Sequence, residues 1–316
     1  MTKALVTGAR GFIGSALCRR LIASGLEVHA VSRNPPADGL HWWRSVVGNG
    51  DHSARAARIR WWNADLVEIE AVRRLIRTIR PDVTFHLASL VTGSRSLEMV
   101  LPIFQNNFLT TLNLLMATAE NNAGRIVLAG SLEEPDEVDT VPCSPYAGAK
   151  CSAAVYARMF HALYQIGVVI AKLSMVYGPG QSDHTKLIPY VTTSLLRGQA
   201  PELSSGVRLV DWIYVDDVVD GLIRCAEVPG IDGRTVELGS GELVSIRDVV
   251  EQLITLVAFG VEPEFGALAD RPLERVKKAN IAESYKLISW RPSTSLREGL
   301  TRTIEWYKEQ SRSDLA

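Results

Sequence analysis

Short β-branched runs alternating with amphipathic segments constrain this chain more than any other feature. "KALVTG" is followed by "IGSALCRRLIASG", then "EVHAVSR", then, after a gap, "LVEIEAVRRLIRTIR" and "DVTFHLAS". Strand runs separated by helix-period segments predict βαβ units, and so an α/β fold whose parallel sheet is doubly wound, with helices on both faces. The alternation continues through "FLTTLNLLMATAENN", "RIVLAGS", a helical segment after Ser144 and "VVIAKLSMVYGPG". Residues 1–178 are therefore expected to form the sheet domain, and residues 179–316 a smaller, more helical lobe. Within that lobe about 207–230, "RLVDWIYVDDVVDGLIRCAE", is expected to pack back on the sheet.

With 316 residues, 47% of them hydrophobic and 22% charged, the chain has material for a full core. A formal net charge of −1 leaves no basic footprint for nucleic acid or an acidic membrane surface. Cys18, Cys143, Cys151 and Cys225 show no CxxC pairing and have no histidine cluster nearby, so free thiols are expected, with neither metal nor disulfides. No apolar stretch reaches the roughly 20 residues that span a bilayer. The first residues, "MTKALVTGARGFIG", contain glycines where a signal peptide needs an apolar core, which predicts a cytoplasmic protein. Residues 34–60 make an unusually long connection, read as a flap or excursion, with Trp42 and Trp43 as its anchors or as an interface.

Gly8, Gly11 and Gly14 form a GxxGxxG pattern directly after the first strand and at the start of the first helix. That position turns backbone N–H groups and the positive end of a helix dipole toward a pyrophosphate, which predicts a dinucleotide site. Arg10, Phe12 and Ile13 share the loop, and Leu87 and Ala88 of "HLAS" end the next strand but two. At the end of the second strand Ser32 and Arg33 stand where an acidic residue would hold a bare ribose diol. A hydroxyl and a guanidinium suit a 2′-phosphate, so NADP(H) is favoured over NAD(H), unless Arg33 only stacks on the adenine. Asp65 and Leu66 of "NADL" are placed to meet the adenine.

"SPYAGAK" sets Tyr146 and Lys150 four residues apart, after a proline suited to a first helical turn. Both then lie on one helix face, where the ammonium favours the phenolate and brings its pKa toward the working range. The pair is a candidate acid/base device, or else a solvated lysine beside a half-buried tyrosine.

The order of "TGARGFIG", "NADL", "HLAS", "NNFLTTLNLL", "LAGS", "SPYAGAK", "VYGPG", "DWIYVDDVV" and the closing "ISWRPSTSLREGLTRTIEWY" resembles the extended short-chain dehydrogenases/reductases. These are the NAD(P)-dependent nucleotide-sugar epimerases, dehydratases and ketoreductases, built on a Rossmann-type sheet. The resemblance implies Tyr146 as general acid/base and Lys150 as the group that lowers its pKa and holds the nicotinamide ribose. It implies Ser131 on the reacting oxygen, Asn107 as a support from the neighbouring helix and Tyr177 at the nicotinamide side of the pocket. It also implies a homodimer through a four-helix bundle that includes the Tyr146 helix, with apolar Ala153, Ala154, Val155 and Phe160 near its middle.

The departures from the family pattern narrow the reaction. Where the dehydratases carry Asp-Glu after the Ser/Thr, this chain carries Leu132 and Glu133, which removes the proton donor for dehydration. Glu133 and Glu134 either reach a sugar hydroxyl or are solvated. Val210 stands where many relatives place a diphosphate-gripping arginine, leaving Arg208, on the same strand face, and Arg271 as candidates, unless each is a surface ion-pair residue. Lys186 is a further candidate substrate contact. Because a ketoreductase consumes cofactor from the cell's mostly NADPH pool, Ser32 and Arg33 point to NADPH-dependent reduction of a nucleotide-linked 4-keto-6-deoxy sugar. A nucleotide-sugar 4-epimerase, a reductase of a non-sugar ketone and a non-catalytic cofactor sensor are the alternatives.

Overall fold

The computed structural model describes residues 2–37, 58–135, 140–257 and 260–313. The excursion read between residues 34 and 60, with Trp42 and Trp43, falls largely outside the described residues.

Seven strands form one wholly parallel sheet: β1 (Lys3–Thr7), β2 (Glu27–Ser32), β3 (Ile59–Asn63), β4 (Val83–His86), β5 (Arg125–Ser131), β6 (Val168–Leu173) and β10 (Thr235–Leu238), in the order β10-β6-β5-β4-β1-β2-β3. The order reverses at β1, and ligands bind at such a switch point, outside the carboxyl ends of the strands. β4 and β6 are buried along their whole length, so their few polar residues, Thr84, His86 and Lys172, are buried too.

Helix α1 (Phe12–Ala23) and α6 (Val215–Glu227) cover one face, Leu17, Leu21, Val218 and Leu222 meeting Val6, Val127 and Val169. On the other face lie α2 (Ile69–Ile79), a continuous helical run α3 and α4 (Pro145–Tyr164). The run α3 begins as an α turn (Val100–Ile103), loosens into a π segment (Phe104–Leu109) and resumes as an α-helix (Thr110–Asn121). α4 starts where the sequence places it: the Ser144 hydroxyl caps the Ala147 N–H at 3.1 Å and Pro145 occupies the first turn.

The second half builds a smaller core. A three-stranded sheet, β11 (Leu243–Ser245), β9 (Leu209–Tyr214) and β7 (Met175–Tyr177), packs with α5 (Leu187–Leu196), α7 (Ile246–Val257) and α9 (Leu296–Ser313) through Trp212, Val191, Leu253 and Leu300. A two-stranded ladder, β8 (Glu202–Leu203) with β12 (Glu264–Phe265), borders it. Helix α8 (Ile281–Ile288) sits against β10 and is followed by Trp290, whose indole donates to the Asp217 carbonyl. The two halves interlock, because β10 belongs to the large sheet although it follows β9 of the small one.

The outward face of α4 differs from the expected one. Ala153, Ala154 and Phe160 are buried in the chain's own core, because the alanines let α4 approach β5 and β6 closely. The exposed apolar groups of this helix are Val155, Tyr156, Leu163 and Tyr164.

Candidate active site

Between the two cores runs a cavity of about 1310 Å³ that gathers side chains from both halves of the chain. Its floor at one end is the glycine loop. Gly8 has φ +69°, and a Cβ there would stand 2.8 Å from the Ala88 nitrogen; one on Gly14 would stand 2.1 Å from the Gly8 carbonyl oxygen. Only glycine at positions 8 and 14 lets β1, β4 and α1 converge so tightly, and the cavity there is lined by Phe12, Ile13 and Gly14, whose first-turn N–H groups have no partner within the helix. A cradle that any Cβ would fill, at a helix N-terminus, fits the pyrophosphate of a dinucleotide.

Ser32, Arg33 and Arg10 line the cavity beyond the loop, with Asp65 and Leu66 across from them. Arg10 is tied to this corner by a 2.5 Å hydrogen bond to the Asn34 carbonyl oxygen. Leu66 is buried, whereas Asp65 is exposed and accepts the Val67 N–H at 3.1 Å.

At the centre lie Ser131, Tyr146 and Lys150. Ser131 ends β5 and is nearly buried; its hydroxyl accepts the Glu133 N–H at 3.1 Å. Lys150 lies 5.8 Å from the Tyr146 ring centre and donates to the Ala129 carbonyl at 2.8 Å. Burial lowers the Lys150 pKa to about 8, with Glu134 opposing the fall.

Tyr146 departs from the expectation. Its phenol is pushed above its ordinary value, first by burial, then by the negative charges of Glu133 and Glu134, while the nearby hydroxyls of Ser131 and Ser89 pull the other way. The i,i+4 spacing brings the ammonium to the ring, but desolvation outweighs it, so the phenol stays a proton donor in this state.

The cofactor candidates from the sequence, Leu87 and Ala88 included, line this cavity, as do Ser131, Glu133, Lys186, Arg208 and Arg271; Glu134 does not, being buried behind Ser131 and neither solvated nor within reach of the cavity. Nor does Asn107. It is buried behind the wall in the π segment, accepting the Leu90 N–H at 2.7 Å and donating to the Leu90 carbonyl at 3.1 Å. Its amide holds the Leu87–Ser94 wall instead of touching a ligand, and the π turn re-aims it there. Tyr177 lines the cavity with its ring packed on Tyr214, but its hydroxyl donates to the Leu296 carbonyl at 3.2 Å. Arg208 reaches the cavity beside Val210 and is paired with Glu274 at 2.8 Å; Arg271 lies against Gly93 at the mouth.

Sequence reasoning missed three buried polar residues around the site, His86, Asp211 and Lys172, and expected Glu134 in the pocket or in solvent, whereas it is in neither. His86, the last residue of β4, bonds Thr7 and Thr111 through its two ring nitrogens, at 2.8 and 3.1 Å, and burial lowers its pKa to about 3, so it stays neutral. Asp211 accepts from Ser240, Gly241 and Ala279, joining β9 to the turn after β10. Glu134 and Lys172 lie directly behind Ser131. Lys172 had a readable signal: a lysine inside the otherwise apolar run "VVIAKL" has to meet a carboxylate if that run is a buried strand.

A parallel sheet with a glycine cradle at its switch point and a Ser, Tyr and Lys group at the ends of β5 and α4 defines a dinucleotide-dependent oxidoreductase. Residues 4–239 match the model of the NAD dependent epimerase/dehydratase family, and the chain belongs to that family. A UDP-glucose 4-epimerase of Mycolicibacterium smegmatis is 29% identical over 326 residues, spanning 98% of this chain and 100% of the relative. A dTDP-glucose 4,6-dehydratase of Streptomyces antibioticus is 29% identical, spanning 96% and 92%. Among solved structures, MoeE5 in complex with UDP-glucuronic acid and NAD superposes with a TM-score of 0.82 at 30% identity, covering 98% of this chain and 99% of that one.

Proposed function

We propose that the protein is an NADPH-dependent reductase of a nucleotide-linked 4-keto-6-deoxy sugar. The observation that carries the choice of reaction is the corner formed by Ser32, Arg33 and Arg10. Two guanidinium groups and a hydroxyl line it at the end of β2, a donor set matched to a phosphate. Gly8, Gly11 and Gly14 hold the pyrophosphate, and Lys150, with N–H donors left beyond the one on Ala129, holds the nicotinamide ribose.

A bound reduced nicotinamide supplies the hydride. Tyr146, kept protonated by burial, gives its proton to the sugar carbonyl oxygen as the carbonyl carbon is reduced to an alcohol. The Ser131 hydroxyl orients that oxygen, and the Lys150 ammonium stabilises the phenolate that remains. Arg208 and Arg271, at the far end of the cavity, face the diphosphate of the sugar nucleotide. Leu132, buried beside Ser131, offers no proton for eliminating water, which supports reduction over dehydration.

The similarity to 4-epimerases along the whole chain favours a second reading, reversible oxidation and re-reduction at one sugar carbon. One assay separates the two: purified protein with NADPH or NADH and a dTDP-4-keto-6-deoxyhexose, followed by nicotinamide absorbance and chromatography of the sugar nucleotide. Stoichiometric NADPH loss with a reduced sugar supports the reductase. No net oxidation, together with isomer formation from a UDP-sugar, replaces it with the epimerase.

A further inference from the structure

Behind Ser131 the sheet encloses a carboxylate that the reaction above does not use. Glu134 is 2% exposed, and one of its carboxylate oxygens accepts the Ser131 backbone N–H at 2.6 Å. Its own N–H returns a bond to the Ser131 carbonyl at 3.1 Å, closing a tight turn around the serine. The other oxygen lies 3.6 Å from the Lys172 ammonium, which is 7% exposed. Lys172 is paired with Gly130 across β5 and β6, and a Cβ on Gly130 would stand 2.7 Å from the Glu134 carboxylate. The glycine before the serine is thus the opening through which the carboxylate reaches the sheet.

Lys172 is ion-paired with this carboxylate, while the Lys150 ammonium is anchored on the Ala129 carbonyl, two residues before the Ser131 whose N–H the carboxylate accepts, and feels its charge. Burying charge is costly unless it is paired, so the anion has an electrostatic task beyond folding a turn. We propose that Glu134 is a positioning residue of this site: balanced by Lys172, its carboxylate fixes the Ser131 backbone and holds the Lys150 ammonium charged beneath Tyr146. The inference rests on Tyr146 as the acid/base group. The other titratable groups facing it are His86 from β4, which is neutral, and Glu133 from the same turn as Glu134.

The geometry predicts shifts of opposite sign. Glu134→Gln keeps an acceptor for the Ser131 N–H but removes the negative charge, so Lys150 gives up its proton at lower pH. Lys172→Met removes a competing cation, so Lys150 keeps its proton to higher pH. The test uses full-length protein labelled with 13Cζ-tyrosine, the Tyr146 signal being assigned by its loss in Tyr146→Phe and followed from pH 6 to 11. The expected inflection near pH 8 in the native chain moves down by about 1 unit in E134Q and up in K172M. It returns close to the native position in the double variant, and if one single variant folds poorly the other, shifting in its own direction or not, decides the matter. An unchanged inflection in both single variants, or shifts of the same sign, overturns the proposal. The signal needs no substrate, so a wrong assignment of the reaction leaves this result standing. Once turnover is established, the alkaline limb of kcat/KM is expected to move in the same order.

Discussion

The Lys150 ammonium sits 5.8 Å from the centre of the Tyr146 ring and is anchored on the Ala129 carbonyl at 2.8 Å, so one residue joins helix α4, strand β5 and the phenol proposed as the proton donor. Its pKa is lowered to about 8 by burial, and the working cation is therefore lost as pH rises through that value. The rate is expected to fall above pH 8. The stability contribution has the opposite sign: with the folded value below the unfolded one, the unfolded chain binds more protons between about pH 8 and 10.4, and Lys150's contribution to stability rises across that window. Parallel pH series of turnover and denaturant midpoint, in the native chain and in Lys150→Met, test both directions.

Removing the phenol oxygen separates chemistry from binding. Tyr146→Phe is expected to lower turnover by about 10²- to 10⁴-fold while changing NADPH affinity little. Turnover near the native level with intact folding would sink the acid/base role.

The glycine cradle has no room for a side chain at Gly8 or Gly14. A methyl at Gly14 would meet the Gly8 carbonyl oxygen at 2.1 Å, so Gly14→Ala has to push α1 away from the loop. Destabilisation of about 1 to 3 kcal/mol is expected, with loss of dinucleotide binding. Thermal unfolding with and without NADPH reads both; an unchanged cofactor-induced stabilisation would refute the cradle.

The proposed preference for NADPH rests on the corner at the end of β2. Arg33→Ala and Arg10→Ala are each expected to raise the NADPH KM by about 10- to 100-fold, the worth of a charged hydrogen bond, with little effect on NADH. Equal losses for both cofactors would place the two arginines on the adenine and not on the phosphate.

Leu163 is 64% exposed and Leu97 86%; with Val155, Tyr156, Val100, Leu101 and Phe104 they are exposed apolar groups of α4, of the α3 run packed beside it and of the turn before that run. A homodimer through these groups is proposed. Sedimentation at micromolar protein is expected to give the mass of two chains, and Leu163→Glu with Val155→Glu to give one; a native monomer excludes it.

Local order was legible because local rules dictate it. Alternating apolar periods predict the sheet and its helices, the glycine spacing predicts the turn from β1 into α1, and Ser144-Pro145 predicts the start of the Tyr146 helix. Asn107 shows the limit: its identity is readable, but the π turn directs its amide to the Leu90 backbone behind the wall and not into the cavity. Ala153, Ala154 and Phe160 show it again, since an apolar residue serves a core or a partner equally well until the packing of α4 on the sheet is known. The sequence by itself determined the elements, their order and the residue types that meet at the switch point, because those follow from period, turn chemistry and spacing. Only the tertiary structure decided the electrostatics: burial raised Tyr146, lowered Lys150 and His86, and enclosed Glu134 with Lys172 behind Ser131. Desolvation and charge proximity depend on which distant segments come together, and that information is not carried by any short stretch of the chain.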